Sequence, residues 1–181
     1  MRDHKVYAEI LPYTTPIEEI KNNNYKGIIF TGGPNSVFDM ESPHYSPDIL
    51  DLGIPVLGIC YGCQLIAWMA KGEVKTAPVS EYGKIEFNVL DNNSKLFKDV
   101  PQKSVVWMSH TDYIANPPAG FDVVGNTNDC PCAAMQNTEK SIYAVQFHPE
   151  VTHSEFGNKM LYNFLYEVCG CHGDWVMDNF I

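Results

Sequence analysis

The chain has 181 residues, 45% of them apolar and 19% charged, and carries a formal net charge of −10 from 22 acidic and 12 basic residues. That length suits a single domain, residues 1–181, with a sizeable core, and an acidic balance without a Lys/Arg cluster argues against a nucleic-acid partner. No apolar run approaches a membrane span and no signal-peptide pattern stands at the start, so a cytoplasmic setting is expected, with the six cysteines as reduced thiols rather than a disulfide framework.

In chain order, Lys5 to Leu11 alternates Val6, Ala8 and Ile10 on one face and reads as a strand. Thr15-Pro16-Ile17-Glu18 has the form of a capping box with proline at the first helical position, which predicts a short helix from Pro16 to about Asn22. Gly27 to Thr31 is a short buried strand running into the glycine-rich turn Gly32-Gly33-Pro34-Asn35-Ser36. That turn is either a plain connection or a loop whose exposed N–H groups line a site. Ser46-Pro47-Asp48 starts a helix through Leu52.

Next comes Ile54 to Trp68. Val56 to Ile59 reads as a fully buried strand and Gln64 to Lys71 as a helix. Between them Gly58 and Gly62 flank Cys60 with the spacing of a nucleophile elbow, cysteine replacing serine. Such a turn lifts the thiol above the sheet edge and aims the free N–H groups of the following helix at it, which favours a thiolate and can hold an oxyanion. Two other readings stay open here. Cys60-x-x-Cys63 also has the form of a redox pair or half a zinc site, and Cys60 can be an inert buried thiol. Zinc would need two more ligands, and Cys130-Pro131-Cys132 and Cys169-Gly170-Cys171 have a gap too short for a zinc knuckle.

The β-α-β-α-β alternation of this first half argues for a doubly wound, mostly parallel α/β sheet. From Glu73 to Leu90 the pattern changes to two-residue alternation, as in Ile85, Phe87 and Val89, so antiparallel strands are added. Asp91 to Lys103 is a polar connection. Ser104 to Met108 is a strand ending at Ser109-His110-Thr111-Asp112, and Phe121 to Thr127, Cys132 to Asn137 and Ser141 to Phe147 read as short strands. Ser154 to Val168 closes with a helix whose apolar positions include Phe156, Met160, Phe164 and Leu165. The tail from Asp174 to Ile181 keeps Trp175, Val176, Met177, Phe180 and Ile181, an apolar end on which something docks or which something follows.

Ligands of an open α/β sheet bind at the carboxyl ends of its strands. Four predicted strand ends carry reactive or polar groups: Thr31-Gly32-Gly33, Cys60, Ser109-His110 and His148-Pro149-Glu150. A cysteine needs a base, and the base needs a third group to hold its tautomer. His148 and Glu150 supply both, so Cys60, His148 and Glu150 form a candidate triad, with His110 as a rival base or a group shaping the pocket.

Gly58-Ile59-Cys60-Tyr61-Gly62-Cys63-Gln64 together with Phe147-His148-Pro149-Glu150-Val151 resembles the class I (triad-type) glutamine amidotransferases, and within them the amidotransferase part of GMP synthetases. Thr31 to Val37, Val106 to His110, Gln146 to Thr152 and Tyr166 to Cys171 extend the resemblance over nearly the whole chain. It implies that Cys60 attacks the glutamine side-chain amide to form a γ-glutamyl thioester, with His148 held by Glu150 moving the protons. It further implies an oxyanion hole from the N–H groups of Gly33 and Tyr61, and a substrate site at Gln64 and the backbone around Ser109 and His110. No cofactor or metal belongs to such a domain. The ammonia passes to an ATP-pyrophosphatase (synthetase) domain or subunit that uses ATP and Mg²⁺ to activate xanthosine monophosphate.

Three departures stand out. Thr111 occupies a position where the family commonly has glycine, and Cys63 one where a larger residue is common. The family also opens with a further strand and helix ahead of the segment resembling Val6 to Leu11, so the resemblance implies a sheet short of that unit. Other amidotransferase pathways, a γ-glutamyl hydrolase, and a non-enzymatic C-x-x-C redox or zinc-binding domain are the competing functions.

Overall fold

The computed structural model describes residues 1–176. One seven-stranded sheet runs through it: β1 (Ile28–Phe30), β2 (Val56–Ile59), β3 (Glu73–Val89), β4 (Lys103–Asn116), β5 (Asp122–Asn126), β6 (Ala134–Asn137) and β7 (Ile142–Val145). The strand order is β1-β2-β7-β6-β5-β3-β4. β1, β2 and β7 are parallel, and the pairings from β7 onward are antiparallel. The mixed α/β architecture expected from the sequence is therefore present, with the parallel strands grouped at one end.

Period-two alternation places the side chains of the central strands on two faces. Leu57, Ile59, Tyr143 and Val145 enter one apolar cluster with Met160, Leu161, Phe164 and Leu165 of the closing helical segment. Val56, Ile142 and Ala144 enter the other with Tyr61, Cys63, Leu65 and Ile66 of α2 (Tyr61–Met69). A strand covered on both faces needs a continuous apolar run, which is why Val56 to Ile59 is buried throughout. Beyond the parallel strands the sheet curls. The backbones of His148 and Glu155 donate to the carbonyls of Trp107 and Val105 at 3.0 Å each, so β4, last in the sheet order, arcs over the ends of the parallel strands.

Several local expectations change. Lys5 to Leu11 is not a strand but an exposed irregular segment, with Ile10 wholly in solvent; its alternating apolar residues find no sheet edge to pair with. Helix α1 spans Ile17–Asn22, but the capping box does not form, because the Thr15 hydroxyl donates to the Pro12 carbonyl instead. β1 is half-buried rather than buried, as befits an edge strand. Ser46 does cap the turn Pro47–Asp51, accepting from the Asp48 N–H. The elbow helix begins at Tyr61, not Gln64. β4 does not end at Ser109-His110 but continues to Asn116, because its pairing with β3 resumes beyond an irregularity between Thr76 and Glu81. The polar connection hides a short turn, Lys95–Phe97, that buries Leu96 and Phe97. The closing helix divides into α3 (Gly157–Asn163) and a wider turn over Phe164–Val168. Of the apolar tail, residues 177–181 lie outside the described residues. Among the described residues, no helix is long and apolar enough to cross a membrane.

Packing around the elbow generates a prediction. A Cβ on Gly62 would lie 2.1 Å from the Phe30 carbonyl oxygen, a backbone atom that cannot retreat without breaking into β1. Alanine favours a helix over glycine by about 1 kcal/mol, so intrinsic propensity alone would make Gly62→Ala stabilising. The clash reverses the sign: urea denaturation should show Gly62→Ala less stable by about 3 kcal/mol.

Candidate active site

Cys60 sits between β2 and α2 with φ 53° and ψ −109°, a left-sided backbone conformation that a non-glycine residue adopts at a cost of about 1–3 kcal/mol. Two close approaches hold it there. A Cβ on Gly58 would meet the Ile66 side chain at 2.5 Å and the Gly62 carbonyl at 2.6 Å, so the chain can double back here only because Gly58 has no side chain, while the missing side chain of Gly62 makes room for the Phe30 carbonyl. The Cys60 N–H donates to the Val145 carbonyl at 2.9 Å, extending the β2–β7 ladder as far as Cys60. Because Ile59 pairs with Val145, the residue after β2 and the residues after β7 emerge side by side. That register brings Cys60 and His148 together across 88 positions of sequence.

His148 is fixed from several directions. Its N–H reaches the Trp107 carbonyl on β4, and the Ser154 hydroxyl donates to its carbonyl at 2.6 Å while accepting from the Trp107 N–H at 3.0 Å. Its Nδ1 lies 2.7 Å from a Glu150 carboxylate oxygen. That bond leaves Nε2 on the side away from Glu150, with the Cys60 side chain as the ring's other neighbour in the site. The Cys60 and Glu150 partners push the imidazole up to about 10, against the opposing effect of burial. An imidazolium beside a sulfur stabilises negative charge on it. Gly32 wedges against both groups: a Cβ there would lie 3.0 Å from His148 Cε1 and 3.4 Å from Cys60 Cβ.

The oxyanion candidates face this centre differently. Tyr61 is the first residue of α2, so its N–H has no partner within the helix. A Cβ on Gly33 would meet nothing within 4 Å, which leaves space for a ligand beside its backbone. Ser109 contributes its backbone: its carbonyl oxygen is 3.6 Å from Cys60 Sγ.

The side chains of Gln64, expected at the substrate, and of His110, the rival base, both turn inward. Gln64 is buried, and its carboxamide donates to the Asp112 carbonyl at 2.9 Å and to the Gln146 side-chain oxygen at 3.1 Å. His110 bonds Glu81 through Nε2 and the Asp112 carbonyl through Nδ1, each at 2.8 Å, so both ring nitrogens are engaged away from Cys60 and it is not a rival base. Gln146, Asp112 and Ser36 belong to no motif that marks a role, yet all three join the site. Gln146 donates toward Cys60 Sγ at 3.9 Å, and the detectable signal was a polar residue on the same strand face as buried Ile142 and Ala144. Asp112 accepts from Ser36 at 2.6 Å, a contact across 76 positions that no local pattern announces.

The C-x-x-C alternative fares differently. Cys63 is fully buried in α2, and burial holds its thiol well above the ordinary range. Among the described residues, one group has three side chains near enough to share an ion, and it is Glu81, His110 and Cys130, without Cys60 or Cys63. Hydrogen bonding accounts for that group: the Thr127 hydroxyl donates to one Glu81 carboxyl oxygen, His110 Nε2 is hydrogen-bonded to the other, and the Cys130 N–H donates to the Thr127 hydroxyl.

Residues 1–168 match the model of the class-I glutamine amidotransferase family. A GMP synthase (glutamine-hydrolysing) from Clostridium botulinum is 57% identical over 180 residues, covering 99% of this chain and 35% of its own length. One of the same name from Alkaliphilus metalliredigens is 56% identical over 181 residues, again with 35% of its length covered. The chain thus spans about a third of the length of the curated relatives it matches. Among solved structures, a candidate GMP synthase subunit from Thermoplasma acidophilum superposes with a TM-score of 0.74 at 28% identity, covering 89% of this chain and 80% of the other. A glutamine amidotransferase from Thermotoga maritima gives 0.71 at 20% identity, with 87% and 82% covered, a likeness of fold.

The environment of His148 sets a titration. Followed by NMR, its ring should remain protonated through neutral pH and lose the proton near 10. Because the Cys60 and Glu150 partners both raise the value, Cys60→Ala and Glu150→Gln should each move the midpoint down toward the ordinary histidine value of about 6.5. A midpoint already near that value in the unmodified protein would contradict the arrangement.

Proposed function

The chain belongs to the class-I glutamine amidotransferases, and on that footing we propose that it hydrolyses the side-chain amide of glutamine to supply ammonia for the conversion of xanthosine monophosphate to GMP. The observation that carries this reading is the alignment of Cys60, His148 and Glu150 at the adjacent ends of β2 and β7.

The proposed steps follow from the geometry. The Cys60 sulfur attacks the amide carbon of glutamine, and the electron pair of the carbonyl moves onto oxygen. The N–H groups of Tyr61 and Gly33 receive that charge; removing one such donor elsewhere costs about 3 kcal/mol of barrier. His148, protonated, gives its proton to the amide nitrogen, which leaves as ammonia while the γ-glutamyl group stays on sulfur. The neutral imidazole then takes a proton from water as the water attacks the thioester, and glutamate departs as the sulfur regains its electron pair. Glu150 holds the ring in the tautomer that presents Nε2 to the sulfur.

In this reading the Ser109 backbone borders the substrate, whereas the Gln64 and His110 side chains act from behind the site by holding β4 in place. Residues 1–181 serve as one amidotransferase domain, working with a synthetase domain or subunit on which ATP and Mg²⁺ bind. The names of the longer relatives support that partner. Six unpaired cysteines support a reducing, cytoplasmic setting.

Glutamate release from glutamine, with and without the synthetase partner, tests the proposal. Cys60→Ala should have no measurable activity. His148→Ala should lose about a thousandfold or more in kcat, and Glu150→Gln should lose less than His148→Ala, by the pattern of other nucleophile-base-acid sites. Full glutaminase activity in Cys60→Ala would overturn the assignment.

A further inference from the structure

The loop carrying Gly33 and the helix that follows Cys60 belong to different parts of the chain, and one residue on a third element touches both. Asp112, on β4, accepts from the Ser36 hydroxyl through one carboxylate oxygen at 2.6 Å and from the Thr76 hydroxyl through the other at 3.2 Å. Its carbonyl accepts from Gln64 on α2 at 2.9 Å and from the His110 ring at 2.8 Å. Gln64 is one helical turn beyond Cys60 and also donates to Gln146, whose carboxamide points at the sulfur. Ser36 closes the glycine-rich turn that starts at Gly32, and its hydroxyl also accepts from the Phe38 N–H at 3.3 Å, so the turn is tied down at this end.

We propose that Asp112 and Ser36 are positioning residues that register the Gly33 N–H against Cys60, so that the oxyanion site exists only while their hydrogen bond is made. The inference rests on the thioester reading of Cys60 above. The physical argument is one of tolerance. Gly33 has open space around it and no side chain to anchor it. A donor displaced by about an ångström from a developing oxyanion loses most of its effect on the rate, although substrate still binds. The Cys60 backbone is held separately, by the β2–β7 ladder on one side and α2 on the other.

This separates two reactions of the same thiol. Thioester formation needs the oxyanion site. Alkylation by iodoacetamide, in which the sulfur displaces iodide, does not. In the purified chain, alone and with the synthetase partner added, Ser36→Ala and Asp112→Ala should lower kcat for glutamate release about tenfold to a hundredfold. KM and the rate of Cys60 alkylation should each stay within twofold. Asp112→Asn keeps an oxygen that accepts from Ser36 and should recover most of the loss. Ser36→Ala, on a loop, provides the test should Asp112→Ala fail to fold.

Retention of kcat within twofold in Ser36→Ala would overturn the inference, and so would alkylation falling in proportion to kcat, since the loss would then be structural. Cys60→Ala separates the two levels: turnover surviving there defeats the thioester reading itself, whereas a dead Cys60→Ala beside a fully active Ser36→Ala defeats only the registering role.

Discussion

The site depends on a backbone strained at one residue and held there by its neighbours. Cys60 has the dihedral angles of an outlier, and nothing in a cysteine favours them. They persist because the chain is held immediately before and after. On one side the Cys60 N–H is locked to Val145 in the parallel ladder; on the other Gly62 presses against the Phe30 carbonyl. The strain puts the thiol at the mouth of the sheet and points the first N–H groups of α2 at the same place. A relaxed backbone at Cys60 would keep the fold and lose that coincidence.

From that constraint the rest of the molecule takes its purpose. β7 is paired beside β2, so that the histidine following it emerges next to the sulfur. β4, though remote in sheet order, arcs back to bind the His148 backbone and to present the Ser109 carbonyl. The buried Glu81–His110 pair and the Asp112 carbonyl fix the far half of that strand. The parallel end of the sheet carries the groups proposed to react, and the antiparallel end wraps round to brace them.

How much of this was visible in the sequence follows from how local each signal is. The elbow was legible because glycines at a fixed spacing around a cysteine report a local backbone event. β2 and β7 were legible as apolar runs, and the two-sided packing of β7 followed from its alternation. Lys5 to Leu11 misled because alternation states which side chains share a face, not whether a partner strand lies alongside. The end of β4 goes beyond its apolar run because tertiary pairing with β3, not composition, decides where it stops. Gln64 and His110 lie in the right neighbourhood, yet their side chains face the bracing network, and residue type alone does not tell a ligand from a brace. Asp112 and Ser36 meet only through the curl of the sheet, which no short motif encodes.

The central claim is that Cys60, raised on its strained turn beside a protonated His148, is the atom to which the substrate becomes attached. The most direct measurement is mass spectrometry of the protein quenched in acid during glutamine turnover, followed by peptide mapping. A γ-glutamyl adduct confined to the peptide bearing Cys60, and abolished when the quench is delayed until glutamine is exhausted, is the predicted result. Sustained turnover with Cys60 unmodified throughout, or with the adduct on a different residue, would contradict it.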